Sequence, residues 1–223
     1  MLRKDIEWTK VFAGIKRMRE IKLRWFQTKI CYIILVTNSV LKDTGVLENN
    51  ICNFCLTEKD TIFHFLCRFE HTQSFGVRFE MCLKESSFKC AWFSINPTLI
   101  LFGHDGKTTT DEGFDFILLQ AKFFVHKCRL NKVKPTLEAF INNLKHIYEV
   151  DKHVHLMEMT YEKFVKKWTL YNHLVTWMCL MTFVCTSVNL TCLTCVLLET
   201  MYAHTHINVY LLCFDAMMTK YNL

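Results

Sequence analysis

Apolar residues recur every three or four positions through most of the first 173 residues, the period of a helix with one buried face. Trp8, Phe12 and Ile15 stand at i, i+4 and i+7, and Leu23, Phe26, Ile30 and Ile33 continue that period, predicting one or two helices over residues 3–34. Residues 72–84 predict a further short helix. Asn96-Pro97 predicts a break, and Gly103-His104-Asp105-Gly106, followed by three Thr, predicts a loop.

Two stronger amphipathic stretches follow. Ile117, Leu118, Ala121, Phe124, Val125 and Cys128 form one stripe, and Leu137, Phe140, Ile141, Leu144, Ile147 and Tyr148 form another. Thr136 is placed to cap the second helix, with Glu138 in its first turn. The short Asn131–Lys134 link predicts an antiparallel helical hairpin. Residues 158–173 carry a weaker helical pattern. The pattern then changes: Leu174–Leu198 contains no Asp, Glu, Lys, Arg or His.

Composition agrees with helices. The chain has 223 residues but only 6 Gly and 2 Pro, too little turn punctuation for a sandwich or barrel. The expected fold is mainly all-α: a helical body with a small Cys/His knuckle and an apolar C-terminal helix or tail. Three segments are expected. Residues 1–95 hold basic helices and the knuckle (about 51–71), residues 96–173 the helical hairpin region, and residues 174–223 the apolar tail.

Charge is unevenly spread. Of the 27 Lys/Arg, 26 lie in residues 1–173, together with 19 of the 21 Asp/Glu. Residues 1–30 alone carry nine Lys/Arg against three acids. Lys16, Arg17, Arg19, Lys22 and Arg24 are candidates for contact with nucleic-acid phosphates, with weak and salt-sensitive binding. Trp8, Trp25 and Phe26 lie among these charges, and their helical spacing assigns them to the core rather than to base stacking.

The 12 Cys raise the question of compartment. No apolar signal segment follows Met1, so a reducing nucleus or cytoplasm is expected, and clustered Cys are read as metal ligands or buried thiols. Cys52, Cys55, His64, Cys67 and His71 lie within twenty residues. A C-x2-C pair lets two thiolates grip one ion from a tight turn. His64 with Cys67 (i, i+3), or His64 with His71 (i, i+7), shares a helical face and can complete the set. Cys52, Cys55, His64 and Cys67, with His71 as the alternative fourth ligand, therefore form a candidate structural Zn2+ site. Cys192, Cys195, His204, His206 and Cys213 lack an acidic spacer and are not read as a second site. No two Asp are adjacent, and neither a Ser/His/Asp order nor a phosphate-binding Gly loop is present. Polymerase, nuclease or hydrolase activity is therefore not expected.

These motifs stand in a familiar order. Helix Leu23–Ile34 contains Trp25-Phe26, and the turn Leu35-Val36-Thr37-Asn38 follows. Then come C-x2-C, the spacer Glu58-Lys59-Asp60-Thr61, and His64. This order resembles the zinc-binding region that follows the polymerase in non-LTR (LINE-type) retrotransposon reverse transcriptases, over roughly residues 8–173. Phe116–Tyr148 is similar to the helical region beyond the knuckle. The resemblance implies a non-catalytic, zinc-binding end of a longer polyprotein, with RNA or single-stranded nucleic acid as partner. Two positions depart from the family: Val36 replaces Pro, and Phe69 stands where the last Cys ligand falls, leaving Cys67 or His71 to substitute.

The tail supports other readings. Leu174–Leu198 is long enough to span a bilayer, which would make this a single-pass membrane protein with its N-terminus cytoplasmic. Its many Thr make insertion marginal. The abrupt change in composition equally fits an unselected read-through extension, or a retroelement relic without function.

Overall fold

The computed structural model describes residues 6–86, 96–103 and 112–187. The chain is mainly helical, as its periodicity predicts. Among the described residues there is no strand, only one antiparallel bridge between Ile51 and Lys59. Residues 1–174 form one compact unit and residues 175–223 a second. The interactions described below belong to the first.

The N-terminal pattern resolves into two helices, α1 (Trp8–Arg17) and α2 (Ile21–Cys31). Between them Met18 and Glu20 take extended backbone. Helix α2 ends at Cys31, and Ile33, which the periodicity placed in the core, is 51% exposed with a φ of 60°. Thr37 caps α3 (Asn38–Asp43), its side chain accepting from the Val40 N–H at 3.4 Å.

A five-residue π-helical turn, His64–Arg68, precedes α4 (Glu70–Ser86). Asn96-Pro97 starts a helix rather than breaking one. Asn96 Oδ1 accepts from the Leu99 N–H at 2.9 Å, and Pro97 opens α5 (Pro97–Phe102), where a missing N–H does no harm. The predicted loop beyond Gly103 lies outside the described residues.

Helix α6 (Glu112–Leu130) and α7 (Leu137–Met157) carry the two predicted stripes. All six α6 stripe residues are buried, and Phe124 meets Phe140 with ring centroids 5.5 Å apart. Thr136 caps α7 as expected, accepting from the Ala139 N–H at 3.2 Å. After a turn with Met159 at a φ of 55°, α8 (Tyr161–Ser187) begins. It runs past the weakly periodic stretch and into the apolar segment. No helix among the described residues is long and apolar enough to cross a membrane. Most of that apolar segment's second half, and the Cys192–Cys213 group, lie outside the described residues.

Two aromatic clusters hold the body. In one, Phe75 and Phe79 stack and Phe140 meets both edge to face. In the other, Trp168 is wholly buried between Phe116, Tyr148 and Tyr171. Its indole N–H donates to Asp151 Oδ2 at 2.6 Å, satisfying both groups away from water.

Helix α6 approaches α8 through Gly113. A Cβ there would stand 2.6 Å from the Lys167 carbonyl oxygen, a backbone atom that cannot swing aside. We expect Gly113→Ala to destabilise the fold by about 1–3 kcal/mol, the usual range for overpacking. Thermal or denaturant unfolding checks this. A small stabilisation from the better helix propensity of Ala would show instead that the two helices have room.

Candidate metal centre and basic surfaces

The knuckle is built by short-range backbone bonds. The Ile51–Lys59 bridge closes it, with the Cys52 N–H donating to the Glu58 carbonyl at 2.8 Å and the Asp60 N–H to the Asn50 carbonyl at 2.7 Å. Inside it the Leu56 N–H donates to the Cys52 carbonyl at 2.9 Å, with Leu56 at a φ of 57°. Backbone N–H groups then point at sulfur: Phe54 N–H to Cys52 Sγ at 3.4 Å, and Glu58 N–H to Cys55 Sγ at 3.5 Å. These bonds favour thiolate over thiol.

The third member arrives from the π turn. His64 is buried, and its backbone N–H is held by Thr61 Oγ1 at 3.0 Å. Its Nε2 lies 3.5 Å from Cys55 Sγ. Its other nitrogen, Nδ1, meets Glu58 Oε2 at 3.1 Å. A carboxylate on the remote ring nitrogen fixes the tautomer that turns a lone pair toward a metal. The donor atoms of Cys52, Cys55 and His64 all lie within 4.8 Å of one another, so the group can hold a metal ion.

Electrostatics favour the thiolate at Cys55 and oppose it at Cys52. Burial pushes the Cys55 thiol up, but hydrogen bonds from Thr57, the Glu58 N–H and Cys52 outweigh it and leave the group at about 6. Burial pushes the Cys52 thiol up, partly offset by the Cys55 and Phe54 backbone.

The expected fourth ligand is not assembled with these three. Neither Cys67 nor His71 joins the group. The reason is the π turn. The i, i+3 alignment of His64 with Cys67 holds in an α-helix, whereas His64–Arg68 winds more widely and turns the two side chains apart. Cys67 is instead half-buried elsewhere, its thiol pushed up to about 12 by desolvation, with Lys122 and Arg68 as the neighbouring charges. His71 packs edge-on against Phe69 at 5.1 Å. Phe69 also approaches His64 at 6.0 Å and Phe54 at 5.3 Å, so the ring occupies the neighbourhood of the site without supplying a donor.

The five basic candidates are all exposed, but they do different things. Arg19 forms a two-pronged pair with Glu158, one contact at 2.8 Å. Arg24 donates to the Met18 carbonyl at 2.7 Å, steadying the turn between α1 and α2. Among the described residues Lys16, Arg17 and Lys22 have no ion-pair partner.

Trp25, assigned to the core from its spacing, is 62% exposed, while Phe26 beside it is buried. The buried stripe of α2 is Leu23, Phe26 and Ile30, and Trp25 lies off it. Lys22, Trp25 and Lys29 stand at i, i+3 and i+7, sharing the outer face of α2.

Sequence reasoning also missed a buried ion pair that seats the knuckle. Asp60, its side chain 1% exposed, receives Arg129 from α6 through two N–H groups, one at 3.3 Å. Asp60 Oδ2 also accepts from the Asn38 N–H at 2.8 Å, and Arg129 donates to the Val36 carbonyl at 3.2 Å. Asp60 stood in the acidic spacer, but nothing local marked a partner 69 residues away.

No protein-family model matches the chain, and no curated protein or solved structure matches it.

Proposed function

We propose that this chain is a zinc-organised, nucleic-acid-associated module of the kind that ends non-LTR retrotransposon reverse transcriptases, without catalysis of its own. The geometry of Cys52, Cys55 and His64 carries the reading. With Zn–S near 2.3 Å and Zn–N near 2.0–2.1 Å at a tetrahedral angle, the S···N edge is about 3.6 Å. The Cys55 Sγ to His64 Nε2 separation is 3.5 Å. Two thiolates and an imidazole are the soft and borderline donors that zinc takes in structural sites. A structural role fits the surroundings: Glu58 is engaged with His64 Nδ1, and Asp60 with Arg129, rather than placed as a general base. The order of helix, turn, C-x2-C, acidic spacer and His supports the family reading.

The outer face of α2 supports association with single strands. An exposed Trp between two Lys offers a stacking platform beside phosphate-neutralising charge. Labelled single-stranded RNA titrated with the full chain tests this. We expect the Lys16, Arg17, Arg19, Lys22 and Arg24 to Gln variant to bind more weakly. Its salt slope should be shallower by about 2, because each neutralised single-strand phosphate contributes ~0.7 and three of the five charges are unengaged. Trp25→Ala should weaken binding about tenfold, within the ~1–3 kcal/mol of a stacked base. Equal affinities for all three proteins would reduce the basic face to a solvated surface.

A further inference from the structure

We infer that a cleft between α1, α6 and the start of α8 is a binding site for a phosphorylated ligand of about nucleotide size. It is distinct from the Lys22, Trp25 and Lys29 face of α2, although Arg17 and Arg19 of the basic run also line it. The cleft has a volume of about 550 Å3, enough for one nucleotide. Helix α8 lines it with Lys163, Lys166 and Lys167, which stand at i, i+3 and i+4 and so share a face. The opposite wall brings Lys10, Arg17 and Arg19 from α1 and the turn behind it. Among the described residues two carboxylates, Glu20 and Asp115, line the same space. Among the described lining residues seven cations, counting Lys122, outnumber the two acids, and Glu7, Glu158 and Asp151 offset three of them, leaving the recess net positive.

The cations divide into engaged and unengaged groups. Lys10 pairs with Glu7 and Arg19 with Glu158. Lys167 reaches Glu20 and Asp151, each at 3.2 Å, and lies 3.9 Å from the centre of the Phe116 ring. Among the described residues Arg17, Lys163 and Lys166 have no ion-pair partner. They stand on both sides of the opening, where a ligand's phosphates would bridge them.

The floor supplies the second observation. Lys122 is buried, and its Nζ donates to Gln27 Oε1 at 2.5 Å. Gln27 is locked in that orientation, because its Nε2 donates to the Leu101 carbonyl at 2.8 Å. Asp115 acts on Lys122 only from beyond ion-pair distance, and among the described residues no carboxylate lies closer. An ammonium buried against a neutral amide is poorly compensated. Burial pulls it down to about 8. A phosphate entering the cleft supplies the missing negative charge. Phe102 and Leu119 offer an apolar wall for the rest of the ligand.

The ligand's phosphate can come from a free nucleotide or from the end of a strand, and one experiment separates the two. The full chain is titrated with ATP, and with a short RNA bearing either a 5′-phosphate or a 5′-hydroxyl. The Lys163→Gln/Lys166→Gln double variant is compared with a charge-matched control, Lys134→Gln/Lys145→Gln, whose side chains are exposed and outside the cleft. ATP binding that falls about tenfold or more in the cleft variant, the loss of two charge-assisted hydrogen bonds, and not in the control assigns a free nucleotide. A gain from the RNA 5′-phosphate that disappears only in the cleft variant assigns a strand end. Both mutated lysines are exposed, so circular dichroism and the thermal midpoint should be unchanged. Absence of binding by ATP and of any 5′-phosphate effect overturns the site. So does an equal loss in the control, which would mean bulk charge alone.

Discussion

Cys55→Ser is expected to destabilise the body by more than about 4 kcal/mol, because structural zinc contributes roughly 10–16 kcal/mol of apparent binding energy in finger peptides. The loss removes one of the three donors that, among the described residues, converge at the proposed centre. It also removes the acceptor for the Glu58 N–H, loosening the loop that aims the His64 ring. Cys82→Ser is the matched comparison: Cys82 is wholly buried on α4, away from the metal group. Placing a hydroxyl there costs about 1–3 kcal/mol, with no metal involved. Denaturant unfolding with and without a zinc chelator separates the two. Chelation should destabilise wild type and Cys82→Ser alike and leave Cys55→Ser unmoved. Equal losses in both variants, with no response to chelator, would make the thiols ordinary core residues.

The second large effect belongs to the Asp60–Arg129 pair. Arg129→Met leaves a carboxylate with a 1% exposed side chain without its cation, and breaking a buried pair from one side costs about 3–5 kcal/mol. The Asn38 N–H alone does not balance that charge. Asp60→Asn together with Arg129→Met should recover part of the loss, since no buried charge is then stranded. A double-mutant cycle on the unfolding midpoint measures the coupling. Because Arg129 sits on α6 and Asp60 closes the knuckle, the single variant should also raise hydrogen exchange over residues 51–61. Additive effects, with the double variant losing the sum of the singles, would show that the pair is a surface contact.

Both effects bear on what was legible in the chain. The hairpin helices were legible because their signals are local. The Phe124 and Phe140 stripes follow the helical period, and Thr136 caps α7 by bonding three residues ahead. The Cys52, Cys55 and His64 group was legible for a similar reason: C-x2-C forces two thiols onto one turn, and the spacer is short enough to return an imidazole. Cys67 was misread because the alignment argument assumed α-helical winding, and nothing in His64–Arg68 announces a π turn. Trp25 was misread because a dense run of aromatic residues hides which lies on the stripe; Leu23, Phe26 and Ile30 take the core and leave it outside. Asn96-Pro97 has two opposite uses, a break or a capped helix start, and here Asn96 caps α5, which packs against α2. Glu58 and Asp60 looked like parts of one solvated acidic spacer. They separate only in three dimensions, one orienting His64 and the other anchoring α6. The basic cleft joins residues from α1, α6 and α8, a juxtaposition no sequence window contains.

The measurement that bears most directly on the account is the metal content of the full chain purified under reducing conditions without added metal. Elemental analysis should find about one zinc per chain, held by the two thiolates and the imidazole that converge there. Cys67→Ser should keep that zinc, because its sulfur stands outside the donor group, whereas Cys52→Ser, Cys55→Ser and His64→Ala should lose it. Absence of stoichiometric zinc in the wild type, or its loss in Cys67→Ser with retention in His64→Ala, would contradict the centre described here.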